Sequence, residues 1–203
     1  AEFEQLINLN PVVKNSFENQ FIIGTRYAYT YNSQLREDPL MPFTKSRIRT
    51  HNFYFNGNID VAGNVIHAVQ QVGRERTDSL QLFGSPYSQF VKGDIDLRHY
   101  WQLDRRNKIV SRLILGAGYA YGNSSTLPYI KQFAVGGANS IRAFQARSIG
   151  PGTYYIREEF PDPTLFVDQR GDLKLEGNVE FRFDIFKILK GALFADAGNV
   201  WTI

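Results

Sequence analysis

The chain has 203 residues, 43% hydrophobic and 14% aromatic, with 23 basic against 20 acidic side chains and a net charge of +3. This is enough for one sizeable domain and excludes a disordered chain, and the scattered charges give no footprint for nucleic acid. There is no cysteine, hence no disulfide framework and no thiolate metal site. Mean hydropathy is −0.31, and no run approaches the ~18 apolar residues of a transmembrane helix. A transmembrane barrel stays open, because its strands alternate lipid-facing and lumen-facing residues and average out as only mildly apolar.

Period-two alternation then recurs along the chain. The first ~15 residues read as the end of a preceding strand, with Pro11 near its edge. In Gln20–Tyr31, Phe21, Ile23, Thr25, Tyr27, Tyr29 and Tyr31 share one parity, opposite Gly24, Arg26, Ala28 and Thr30. Residues 32–46 follow as a long irregular connection. Asn52–Ala62 alternates Phe53, Phe55, Ile59 and Val61 with Asn52, Asn56, Asn58 and Asp60. Residues 63–88 read as a second long irregular connection. Val91–Gln102 places Val91, Ile95, Leu97, His99 and Trp101 opposite Lys92, Asp94, Asp96 and Arg98. Asp104-Arg105-Arg106-Asn107 is a tight polar turn of the kind expected on a periplasmic side.

Ile109–Tyr121 alternates Leu113, Leu115, Ala117, Tyr119 and Tyr121 with Arg112, Gly116, Gly118 and Ala120. A connection of residues 122–172 follows, and loops of that length are usually functional. Asn178–Phe186 sets Val179, Phe181, Phe183 and Ile185 against Glu180, Arg182 and Asp184. Gly191–Trp201 is the last strand, with Asp196 as its single acid. Aromatic residues at the ends of the apolar faces (Tyr27, Tyr29, Tyr31, Trp101, Tyr119, Tyr121) match the girdle of a membrane barrel. A soluble sandwich would favour Lys, Glu and Thr on its wet face. A soluble ligand-holding barrel would leave its apolar exterior unexplained.

Sites for covalent chemistry are not evident. His51, His67 and His99 lie in separate segments without metal-ligand spacing. Gly136-Gly137 precedes no helical segment and reads as a turn, not as a phosphate loop. Ser124, Ser125 and Ser140 have no His and acid beside them in sequence, and Glu158-Glu159 reads as a solvated loop pair. The expectation is a non-enzyme with no metal and no cofactor.

The segment Phe133-Ala134-Val135-Gly136-Gly137-Ala138-Asn139-Ser140-Ile141-Arg142-Ala143-Phe144, continuing to Ser148-Ile149-Gly150-Pro151-Gly152, packs glycine, aromatics and one Arg between strands. It resembles the loop of the bacterial surface antigen superfamily, the outer-membrane barrel assembly factors, in which a Gly-Gly turn precedes a Val-Arg-Gly-Phe-type motif and Ser-Ile-Gly-Pro. Ile141-Arg142-Ala143-Phe144 occupies the motif, with Ala143 where the family usually has Gly. Glu176–Phe183 resembles the strand after that loop. Leu193-Phe194-Ala195-Asp196-Ala197-Gly198-Asn199-Val200-Trp201 resembles the next, with its Phe-x-Asp-x-Gly-x-Val-Trp signature. The resemblance covers residues 88–203 well and the first third only by barrel pattern.

The resemblance implies an all-β fold: residues 1–203 as part of one antiparallel transmembrane β-barrel in the bacterial outer membrane. On that reading the chain is a fragment of about six or seven strands from a larger barrel of about sixteen. No POTRA domain lies within it, no signal peptide opens it, and further strands are expected beyond Ile203. It also implies that the loop at about 122–172 folds into the lumen, with Gly136, Gly137, Ile141, Ala143, Phe144, Gly150 and Pro151 shaping it. Its Arg142 would pair with Glu180 and Asp196. The physical chemistry agrees, since an Arg in a narrow lumen needs partners and its fork suits two carboxylates.

The function implied is insertion or export of polypeptides through a barrel with a lateral seam, BamA-like or TamA-like. Ala143 and Leu82-Phe83-Gly84-Ser85-Pro86 lean toward the TamA-like side. Implied partners are outer-membrane lipids, unfolded outer-membrane proteins and periplasmic or lipoprotein accessory subunits, with no nucleic acid. The alternatives are a two-partner secretion pore for a cognate exoprotein and a passive porin.

Overall fold

The computed structural model describes residues 20–35, 50–71, 81–82, 84–153, 168–186 and 188–203. Six long strands make one sheet: β1 (Gly24–Asn32), β2 (His51–Ala62), β3 (Phe90–Gln102), β4 (Lys108–Ala120), β5 (Leu173–Asp184) and β6 (Lys190–Trp201). Each is antiparallel to the next in chain order, so the sheet is an up-and-down meander. Strand lengths of 12 or 13 residues from β2 to β6 suffice for a tilted membrane-crossing strand. Among the described residues no helix is long and apolar enough to cross a membrane. The sheet is open, with β1 and β6 at its edges.

Register fixes the two faces. Cross-strand rows such as Arg98–Arg112–Asn178–Asp196 and Asp96–Ile114–Glu176–Gly198 lie on one face. The neighbouring rows, such as Ile95–Leu115–Leu175, lie on the other. A one-residue slip would exchange the faces, so the alternation read from sequence sets the pairing. The apolar face carries exposed Tyr27, Phe53, Ile59, Ile95, Leu97, Leu113, Leu115, Leu175 and Leu193. Such a continuous exposed apolar surface needs an apolar surrounding. Rings stack at the end of this face beside the 103–107 turn: Phe53 on His99, His99 on His51 and His51 on Trp101.

The polar turn is built by Asp104, whose Oδ1 accepts from the N–H groups of Arg106 (2.7 Å) and Asn107 (2.9 Å). Its carboxyl is held below the ordinary range, first by the Arg106 backbone donor and then by the Asn107 side chain.

Four expectations are corrected. The connection at 63–88 is not irregular: it holds helix α1 (Asn64–Gln71) and a small hairpin pairing Gln81–Leu82 with Ser85–Pro86. Gly63, at φ 81°, turns the chain into α1. β1 starts at Gly24, not Gln20, because Phe21 leaves the ladder to bridge Tyr87. β5 starts at Leu173, not Asn178, which brings Lys174 and Glu176 into the sheet. His51 and His99 are not isolated, since the β2–β3 register brings Nδ1 of His51 within 3.0 Å of Nε2 of His99. No third ligand joins them, and no group of three potential metal ligands occurs among the described residues. His67 lies on α1 against the Tyr87 hydroxyl at 2.9 Å. Residues 1–19 and 36–49, with the Glu158-Glu159 pair, lie outside the described residues.

Candidate functional site

The described residues of the connection between β4 and β5, 121–153 and 168–172, lie on the polar face of the sheet. The connection enters at Ala120 and reaches Asp196, five residues below Trp201 on β6, a depth of about 17 Å at the usual strand rise. Two features of the wall admit it. Gly116 and Gly118 leave room on β4, where a Cβ would come within 2.6 Å of the Phe133 ring and 2.5 Å of Leu127. Phe133, Val135, Ile141 and Val200 then form a small apolar core between loop and wall, with Ile149 packed against it.

Backbone pairing fixes the loop further. Phe133 and Gly171 bridge each other, and the Gly152 N–H donates to the Val200 carbonyl at 2.7 Å. Gly136 (φ 102°) and Gly137 (φ 92°) form the turn before the motif. A Cβ on Gly136 would lie 2.3 Å from the Gln145 carbonyl oxygen, so only glycine fits. Gly150 precedes a cis bond to Pro151 and adopts φ 91°, with its Cα face against Asn199 and Val200. Ala143 has no positive φ: among described non-glycine residues, only Arg147 (φ 61°) does. The Gly-to-Ala departure in the motif is therefore unstrained. Ile141 is buried in the apolar core, and Phe144 is exposed.

Arg142 projects from this loop onto the wall. Its Nε and Nη2 donate to Asp196 Oδ2 and Oδ1, both at 2.8 Å, and its Nη1 donates to Glu180 Oε2 at 2.5 Å. Its backbone N–H also donates to Asp196, at 3.2 Å. The guanidinium lies over the Phe194 ring, 3.7 Å from the centroid, a cation–π contact that holds the fork flat. The Asp196 side chain is only 4% exposed, so this charge is desolvated and depends on its partners. Glu180 is shared, since Arg182 Nε also donates to it. Asn178 completes the group, donating from Nδ2 to both Asp196 and the Ser140 carbonyl, each at 3.0 Å. The structure thus brings Arg142 of the loop together with Glu180 of β5 and Asp196 of β6.

Several contributors escaped sequence reasoning. Glu176 is fully buried and accepts from the Ser140 hydroxyl at 2.5 Å and from Lys174 at 3.0 Å. Lys174 also donates to the Ala134 carbonyl. Ser140 therefore does meet an acid, although not a His, and its hydroxyl accepts the Gly136 N–H as a turn brace. Arg112 binds Asp96 through Nε and Nη2 and the Asn139 carbonyl through Nη1. Farther out, Asp168 collects donors from Tyr129, Arg147 and Arg170 at 2.9–3.0 Å. Burial opposes ionisation there, but these donors outweigh it and hold the Asp168 carboxyl below its ordinary range. Inward strand parity was the usable signal for Glu176 and Phe194. The contacts of Asp168 and Asn139 had none, because a loop carries no periodicity.

The Omp85 superfamily domain model matches residues 69–203. The chain belongs to the Omp85 superfamily. This is a family of β-barrel proteins tied to outer-membrane protein assembly and translocation, as the surface-antigen resemblance implied. The chain is also similar to the outer membrane protein assembly factor BamA of Neisseria meningitidis serogroup B, 27% identical over 92 residues. That match covers 43% of this chain and 11% of the relative, so the chain spans a small part of that protein's length. In this Omp85 chain, the Arg142 group lies wholly within the matched region.

Proposed function

We propose that this chain is part of an outer-membrane factor that inserts or exports polypeptides, BamA-like or TamA-like, and that works without covalent chemistry. The observation that carries the reading is the ion lock of Arg142 on Asp196 and Glu180 in an Omp85 chain. A passive pore has no need of a glycine-rich segment clamped across its wall. The loop acts as a brace: it ties β5 and β6 to one another and to β4, so the wall keeps its shape while other strands open to a client. Unfolded outer-membrane proteins are the substrates on this reading, presented as strands to an open edge. Outer-membrane lipids and periplasmic or lipoprotein accessory subunits are its partners.

The test is reconstitution of the full-length protein in liposomes with a chemically unfolded outer-membrane barrel as client. Folding of the client, read by heat-dependent gel mobility, should be faster than in empty liposomes. It should slow when Arg142 is replaced by Ala. A large, steady single-channel conductance with no effect on client folding would instead identify a porin.

A further inference from the structure

The polar face carries a second feature, at the opposite end from the loop's entry. Between the 103–107 and 185–189 turns lies a basin of about 570 Å³. Arg105, Arg106, Lys108, Arg182 and Lys190 line it, against Asp184 as the single carboxylate. Of these cations, Arg182 pairs with Glu180. No ion pair among the described residues engages Arg105, Arg106, Lys108 or Lys190. Asp184, the cross-strand partner of Lys190, and Asp104 beside Arg106 offset only part of this charge, so the cations still repel one another and an arriving anion relieves that repulsion.

Strand parity says which side the anion comes from. Lys108 and Arg182 are cross-strand partners on the loop-bearing face, and Lys190 pairs with Asp184 on the same parity. The basin therefore opens to the lumen side and not to the lipid-facing side. Beside it, the 185–189 turn exposes Phe186 (70%) and Ile188 (97%), a surface for apolar residues flanking an acidic one. Arg182 also lines a second cavity of about 450 Å³ with Arg98, Arg112 and Arg142. Each of these arginines is held by Asp96, Asp196 or Glu180, and Glu180 lines the same cavity, so this second cavity adds little net positive charge.

We infer that this basin is a docking site for an acidic segment of a polypeptide, entering from the short-turn end of the lumen. Arg guanidiniums match carboxylates in a bidentate way, and the lysines add unfocused attraction at longer range. Binding weakens with salt, because most of these cations are exposed and screened. The site is read by binding alone, so it stands or falls separately from the assembly role.

The experiment uses the full-length protein in detergent micelles and a fluorescein-labelled oligoglutamate peptide, with oligoglutamine as control. Saturable, salt-sensitive binding of oligoglutamate is expected. The triple variant Arg105→Gln, Lys108→Gln, Lys190→Gln spares the ion lock and should bind about tenfold more weakly. Heat-dependent gel mobility checks that it folds. Should it not fold, Arg105→Gln alone, at an exposed turn, should still weaken binding about twofold. Equal binding of oligoglutamine, or unchanged binding by the folded variants, overturns the inference. Tighter binding of short-chain phosphatidylglycerol than of the peptide, at the same residues, overturns the polypeptide assignment in favour of a lipid phosphate.

Discussion

Replacing Asp196 by Asn keeps its shape and removes its charge. Four donors converge on this carboxylate: Nε, Nη2 and the backbone N–H of Arg142, and Nδ2 of Asn178. An amide can accept at one oxygen only, so its NH2 group would face at least one of these donors. With the Asp196 side chain 4% exposed, water cannot compensate, and the usual cost of breaking a buried pair, ~3–5 kcal/mol, applies with little discount. Glu180→Gln is the internal comparison. Glu180 is more exposed, at 16%, and its loss leaves Arg142 bound twice to Asp196, so about 1–2 kcal/mol is expected. Urea unfolding of the full-length protein in lipid vesicles, followed by gel mobility, measures both. Equal effects of the two variants, or an Asp196→Asn effect under about 0.5 kcal/mol, would refute the claim that Asp196 anchors the loop.

Other perturbations separate the parts of the brace. Gly116→Val drives a side chain into the Phe133 ring and should cost ~1–3 kcal/mol, seen as faster proteolysis within residues 122–153. Ala143→Gly should leave stability unchanged or lower it by up to about 1 kcal/mol in urea unfolding, because position 143 lacks a positive φ. A gain in stability there would contradict the backbone conformation. The depressed Asp168 carboxyl contributes stability that is complete above its unfolded value of ~4 and is lost as pH falls through its folded value. Protease resistance of the loop should accordingly fall only in acid, and Asp168→Asn should flatten that dependence while lowering resistance at neutral pH.

How much of this the sequence carried depends on periodicity. β2, β3 and β4 are legible to within one residue because each alternates an apolar set with a polar set over a full strand, and β6 is legible as closely through its lone Asp196 and its Phe-x-Asp-x-Gly-x-Val-Trp signature. β5 was read five residues short. Its first half, Leu173–Gly177, mixes Lys174 and Glu176 with a glycine and looks like loop until its inward face is known to be charged. The helix at 64–71 escapes a sequence reading although Val65, Ile66 and Val69 recur at helical spacing, because eight residues are too few for that stripe to stand out from a loop. Arg142, Glu180 and Asp196 were reached through the motif resemblance. Asp196 was also marked as the lone acid of its strand. The contacts of Asn178 and the Asp96–Arg112 pair depend on cross-strand register and on where the loop descends, which only three-dimensional pairing supplies.

The central claim is that residues 133–152 lie seated on the inner wall through Arg142. Hydrogen–deuterium exchange of the full-length protein in lipid tests it most directly. The structure predicts that amides donating to Phe144, Val135 and Val200 carbonyls, those of Gly137, Arg147 and Gly152, are protected on the timescale of the strands. It also predicts that this protection is lost selectively in Asp196→Asn, while β2 and β3 keep theirs. Exchange of residues 133–152 at the rate of an open loop in the unmodified protein would contradict it.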